Sequence, residues 1–196
     1  MNGKHEITRG DIMAMDVYAA ERRERRGEAV ALKRNRRMEV GPVAAFYFEN
    51  YATMWHQVHE MLHIERGGEA QIADELAAYN PLIPKGRELI ATVMFEVDDE
   101  VRRRNFLGRL GGIEETAFLR FGGEKLAGVS EADLDRTTAD GKASAVQFIH
   151  FPFTTAQVAA FGTVGAEVII GFDHPNYSHM AVMPEAVCAA LAEDFD

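Results

Sequence analysis

The residues best suited to chemistry lie in one run, His59-Glu60-Met61-Leu62-His63. They match H-E-x-x-H, in which two histidines one helical turn apart hold zinc and the glutamate acts as general base. Imidazoles at i and i+4 project from the same side of a helix, so both can reach one ion. A third ligand is still needed. The stretch Asp173-His174-Pro175-Asn176-Tyr177-Ser178-His179 is the best source, through Asp173, His174 or His179. On this reading the ion is zinc or iron, Glu60 is the base and the activity is hydrolase-like. His56 lies two turns from His63, too far along the axis to share that ion. No H-x-x-G-x-x-H continuation follows the motif.

Other reactive groups have plainer readings. Cys188 sits among alanines and reads as a small buried residue. As the single cysteine it excludes an internal disulfide and a cysteine-based zinc site. His150 lies between phenylalanines inside an expected strand and reads as a packed, hydrogen-bonded histidine. The chain contains no G-x-S-x-G, Walker loop or G-x-G-x-x-G.

The elements that must position these groups follow from periodicity. Asn50 suits the N-cap of a helix running to about Arg66, where Gly67-Gly68 stops it. On that helix Tyr51, Met54, Trp55, Val58, Met61 and Leu62 share an arc of roughly 120°. His56, His59, Glu60 and His63 share an arc of roughly 100° on the far side, which predicts that they face solvent, a cleft or another subunit. A second helix is expected at 69–79. Residues 8–16 form a short helical turn, and the arginine-rich stretch that follows is helical to about Asn35, with Gly27 a weak point. Two strands flank Gly41-Pro42, and 88–97 is a third. The segment 113–121 and "GEKLAGV" give two more, and 144–153 and 166–173 complete the set. Shorter helices are expected after Asp98-Asp99, after Thr154 and from Pro184, while 130–143 reads as a mobile surface loop. The fold class is therefore α+β: a single domain over 1–196, a mixed or mostly antiparallel sheet of six or seven strands, four or five helices, and a basic N-terminal helical arm at about 8–37.

Composition limits the function classes. With 47% apolar and 27% charged residues among 196, the chain is a folded one. It has neither a signal-peptide pattern nor an apolar run long enough to span a membrane, and a cytoplasmic location is expected. The formal charge of −10 argues against nucleic acid as a partner. Residues 1–40 nevertheless carry ten Lys/Arg against seven Asp/Glu. That basic arm on an acidic body suggests a polar docking surface.

Several stretches together resemble a known family. They are "ALKRNRRMEVGP" (31–42), "FEN" (48–50), "YNPLIP" (79–84), "ELIATVMFEV" (88–97), "SAVQFIHFPF" (144–153) and "DHPNY" (173–177). In order and over most of the chain they resemble the bacterial domain-of-unknown-function family numbered 3501. The family pattern near the motif is similar to Gln-x-x-Glu-Met, matched by Gln57, Glu60 and Met61, and does not include His59 or His63. Members are often encoded beside rubrerythrin-like di-iron proteins and iron–sulfur oxidoreductases. The resemblance therefore implies oxidative-stress handling and a rubrerythrin-like or iron–sulfur partner. The leading expectation is an accessory or interaction protein of a cytosolic redox or iron-dependent stress system, without catalysis of its own. In it the basic arm and the polar face of helix 51–66 are docking surfaces, and a homo-oligomer is compatible. The alternatives are the metal-dependent enzyme and a small-ligand or haem-binding module, the last suggested by aromatic strands and spare histidines.

Overall fold

In a computed structural model, residues 4–131, 137–138, 141–163 and 165–196 are described. Alternating apolar strands build two antiparallel sheets. Strands β1 (Arg37–Val40), β2 (Ala44–Glu49), β3 (Glu88–Phe95), β6 (Val129–Ser130) and β7 (Val146–Pro152) form the first, in the order β1-β2-β3-β7-β6. Strands β4 (Ala117–Phe121), β5 (Glu124–Ala127), β8 (Ile169–Phe172) and β9 (Met180–Val182) form the second, in the order β5-β4-β8-β9. The period-2 pattern decides which residues meet between them. Phe46 and Phe48 of β2, Leu89, Val93 and Phe95 of β3, and Ile149 and Phe151 of β7 point inward. They meet Leu119, Phe121, Ile170 and Phe172 of the second sheet, with Phe46 and Phe172 rings 5.0 Å apart.

The opposite face of the first sheet carries a second core. Ile90 packs there against Tyr51, Met54, Val58 and Leu62 of α2 (Tyr51–Glu65), Ile72 of α3 (Glu69–Tyr79), and Ile7 and Ile12 of the N-terminal segment. The buried Glu49 carboxylate joins sheet to helix by accepting from Thr92 Oγ1 (2.8 Å) and Thr53 Oγ1 (2.6 Å). Asn50 caps α2 by accepting from the Thr53 N–H at 3.0 Å. Arg66, with φ of 57°, ends the helix just before the glycine pair. Helix α1 (Met15–Lys33) lies over α2, and α4 (Glu100–Leu107), α5 (Thr155–Phe161) and α6 (Glu185–Ala192) complete the fold.

The described residues thus hold nine strands and six α-helices, more than the six or seven and four or five read from sequence. "GEKLAGV" is two strands, not one, because the chain changes sheets at Gly128. A side chain there would put Cβ 2.5 Å from Ile149 Cγ2, so only glycine passes. Residues 113–115 form a 3-10 turn ahead of β4, and β9 is too short to show a period. Gly27 does not interrupt α1. Of the expected loop at 130–143, residues 132–136 and 139–140 lie outside the described residues. Ala143 is buried and bridges Thr137. Among the described residues no helix is long and apolar enough to cross a membrane.

Candidate functional site

The motif helix is not open on its polar side. Residues Tyr18, Arg22, Arg25, Ala29, Leu32 and Arg36 recur at alternating steps of four and three, which lines them along one face of α1 and just beyond its end. That face lies antiparallel on His56, His59 and Glu60. Arg22 donates to both Glu60 oxygens, at 2.8 Å each, and Tyr18 Oη donates to Glu60 Oε1 at 2.8 Å. The Arg25 guanidinium sits 5.7 Å above the Trp55 ring. The two docking surfaces expected from sequence are therefore docked against each other, a correction that the wheel of α2 alone could not supply.

His59 is likewise corrected from an outward ligand to a fully enclosed residue. Its Nδ1–H donates to the Trp55 carbonyl (2.7 Å), and its Nε2 accepts from the Met13 N–H (3.0 Å). The ring stacks on Trp55 with centroids 3.8 Å apart and lies 5.0 Å from Tyr18. Burial holds its pKa below the usual histidine value, so it remains a neutral brace. No lone pair is left for a metal unless the N-terminal segment detaches. His63 stands half-buried beside Tyr18 at 6.0 Å, without His59 as a co-ligand. Glu60 is a poor general base: the Arg22 hydrogen bonds outweigh burial and hold its pKa down to about 2.

The expected third ligands sit on another layer, at the end of β8 in the second sheet. The Asp173 carboxylate pairs with Lys125. His174 is buried, with Nε2 donating to Gly111 O (3.2 Å) and Nδ1 accepting from the Asn176 N–H (3.2 Å). His179 meets the Tyr177 ring edge-on, with centroids 4.5 Å apart. Tyr177 explains the "DHPNY" stretch: its Oη donates to Val40 O (2.7 Å) and accepts from the Ala44 N–H (3.0 Å), latching the β1–β2 turn. Among the described residues no three of His, Cys, Asp or Glu are grouped to hold one ion. His150 Nδ1 contacts Glu88 Oε2 at 3.1 Å. Burial pushes the Cys188 thiol up, away from a reactive thiolate.

One of several accessible cavities is a groove beside the α1–α2 seam, with a volume of about 510 Å³. Ala29, Leu32, Tyr51, Ala52 and Trp55 make it mostly apolar, and Arg25, Glu28 and His56 supply its polar groups. A second cavity of about 430 Å³ adjoins it through Leu32, Tyr51 and Ala52. Sequence reasoning set His56 aside because it could not share an ion with His63. The alternating spacing in α1 was the signal that α1 covers α2 and leaves this cleft at its edge.

A family model described as a protein of unknown function (DUF3501) matches residues 6–195. The chain is 38% identical to a protein of unknown function from Burkholderia pseudomallei, known from a crystal structure. That match covers 97% of this chain and 99% of the other, with a TM-score of 0.89. No curated protein matches it. With the family model spanning nearly all of its length, the chain belongs to the DUF3501 family.

Proposed function

We propose that this protein is a non-catalytic binding module, an accessory to a cytosolic redox or iron-dependent stress system, with the α1–α2 groove as its working surface. One observation carries the reading. Glu60, His59 and His174 are spent on internal hydrogen bonds, whereas the groove leaves aromatic walls and a histidine open to a ligand. Catalysis needs a group poised between protonation states at the working pH. Glu60, held to about 2, is far from that. The redox assignment rests on the family resemblance, which implies a rubrerythrin-like or iron–sulfur partner.

The test is isolation of the native protein from its host through an antibody, with the associated proteins identified by mass spectrometry. A rubrerythrin-like or iron–sulfur protein, released by the groove-filling substitution Ala52→Trp, is the expected result. Metal-dependent hydrolysis of model esters or peptides, abolished by His63→Ala in a folded protein, would overturn the reading.

A further inference from the structure

Helix α1 has two long faces, and the fold uses one of them. Tyr18, Arg22 and Arg25 point to α2, where they meet Glu60 and Trp55. On the far side, about 150° round the helix, Asp16, Ala20, Arg23, Gly27, Val30 and Arg34 recur at alternating steps of four and three. All six are exposed, and Arg34, the C-cap, keeps helical backbone angles. Val30, at 69%, is the most exposed large apolar side chain among the described residues. Among those residues none of Asp16, Arg23, Glu24, Arg26 and Arg34 belongs to an ion pair, although Arg22 and Arg25 between them do. Gly27 sits in the middle of the helix, where glycine is unfavourable, and a Cβ there would meet nothing within 4 Å. The packing of the described residues does not call for a glycine. What Gly27 leaves is a notch in the outer face, open to a close approach from outside.

Alternating steps of four and three make the seam of a two-helix coil, and the charges along this seam select its occupant. Laid antiparallel on a second copy of itself, with a two-fold axis level with Arg25, the seam sets Asp16 opposite Arg34 and Ala20 opposite Val30. Arg23 then faces the Gly27 notch, which has room for its methylene stem, and Glu24 faces Arg26. A parallel pair would instead set Asp16 against Asp16 and Arg34 against Arg34. The chain as a whole carries −10, so two copies repel over most of their surface, and here opposite charges meet. We propose that two copies of this chain pair through α1, antiparallel about that axis, each patch facing its own copy as a two-fold contact requires. With 19 residues, α1 is about 28 Å long. A contact of that length is at the small end for protein interfaces, so the dimer depends on concentration. Arg25, Ala29 and Leu32 line the α1–α2 groove from the other side, and pairing leaves that groove open. The pairing is independent of what the groove binds.

Sedimentation equilibrium of the full, untagged chain over a wide range of concentration, at low and at physiological salt, is the test. A monomer–dimer equilibrium that salt weakens is expected. Asp16→Arg and Arg34→Asp each bring like charges together at both ends of the seam, so each alone should weaken the dimer by about tenfold or more. Mixed in equal amounts, the two variants should form a heterodimer, because opposite charges then meet at both ends. Both positions are exposed, and circular dichroism checks that each variant keeps its fold. Should Asp16→Arg fail to fold, Glu24→Arg mixed with Arg26→Glu gives the same readout nearer the axis. Gly27→Leu favours the helix but fills the notch. It should abolish the dimer while raising the Tm of the dilute protein by roughly 2–4 °C. A chain that stays monomeric at every concentration overturns the inference and leaves the ridge to an acidic protein. A dimer that Gly27→Leu and the charge reversals leave intact also overturns it, by placing the contact elsewhere.

Discussion

Replacing His59 with alanine removes an acceptor as well as a ring. The Met13 N–H loses its partner inside a closed site, and a void opens between Trp55 and Tyr18. An unpaired buried donor costs about 1–3 kcal/mol, and deleting an enclosed ring costs about 3 kcal/mol before relaxation. Allowing for partial collapse, the total is roughly 3–5 kcal/mol, or about 6–20 °C in Tm for a chain of this size. Among the described residues His63 makes only an edge contact with Tyr18, so His63→Ala should cost less than about 1 kcal/mol. Thermal and urea unfolding followed by circular dichroism, with and without a chelator, measures the difference. Two zinc ligands would behave alike, and a chelator would lower the parent Tm to match. Equal losses at positions 59 and 63, or a chelator-sensitive Tm, would refute the reasoning.

The Arg22–Glu60 pair predicts an acid transition. The folded-state pKa of Glu60 is depressed to about 2 from about 4.5, so its stabilisation is complete above about pH 4.5 and lost as pH falls towards 2. Glu60→Gln should flatten stability against pH across that window, read by urea midpoints at each pH. Arg36 is buried against Asp194, and Asp194→Ala should cost about 3–5 kcal/mol by leaving the guanidinium charge unpaired among the Phe48, Glu49 and Ala190 carbonyls it donates to, measured by chemical denaturation. Tyr177→Phe leaves the Ala44 N–H and Val40 O without the latch and should cost about 1–3 kcal/mol. Gly41→Ala should also destabilise, because φ is +69° and a Cβ would lie 2.6 Å from His179 Cγ. Thermal melts that leave either variant at the parent Tm would contradict the latch.

Much of the fold was legible because its signals are local. Asn50 caps α2, Gly67-Gly68 follows its end, and Phe46, Phe48, Ile149 and Phe151 alternate inward as a strand period requires. The strand switch at Gly128 was hidden because its cause is a neighbour, Ile149, that sequence does not place. The site was misread for a related reason. A helical wheel sorts α2 by its own polarity, and a polar face looks exposed until a second polar helix covers it. Charged side chains can cover as well as apolar ones when they pair, as Arg22 does with Glu60. The stripe through Tyr18, Arg25, Ala29 and Leu32 was visible in the sequence, masked by the arginines between its members.

The central claim is that H-E-x-x-H is here a brace between two helices and not a zinc site. Metal content of the untagged protein as isolated from its host, by elemental mass spectrometry, tests this most directly. The account predicts zinc well below one per chain in the parent and in His63→Ala. Stoichiometric zinc in the parent, removed by His63→Ala while the protein stays folded, would contradict it.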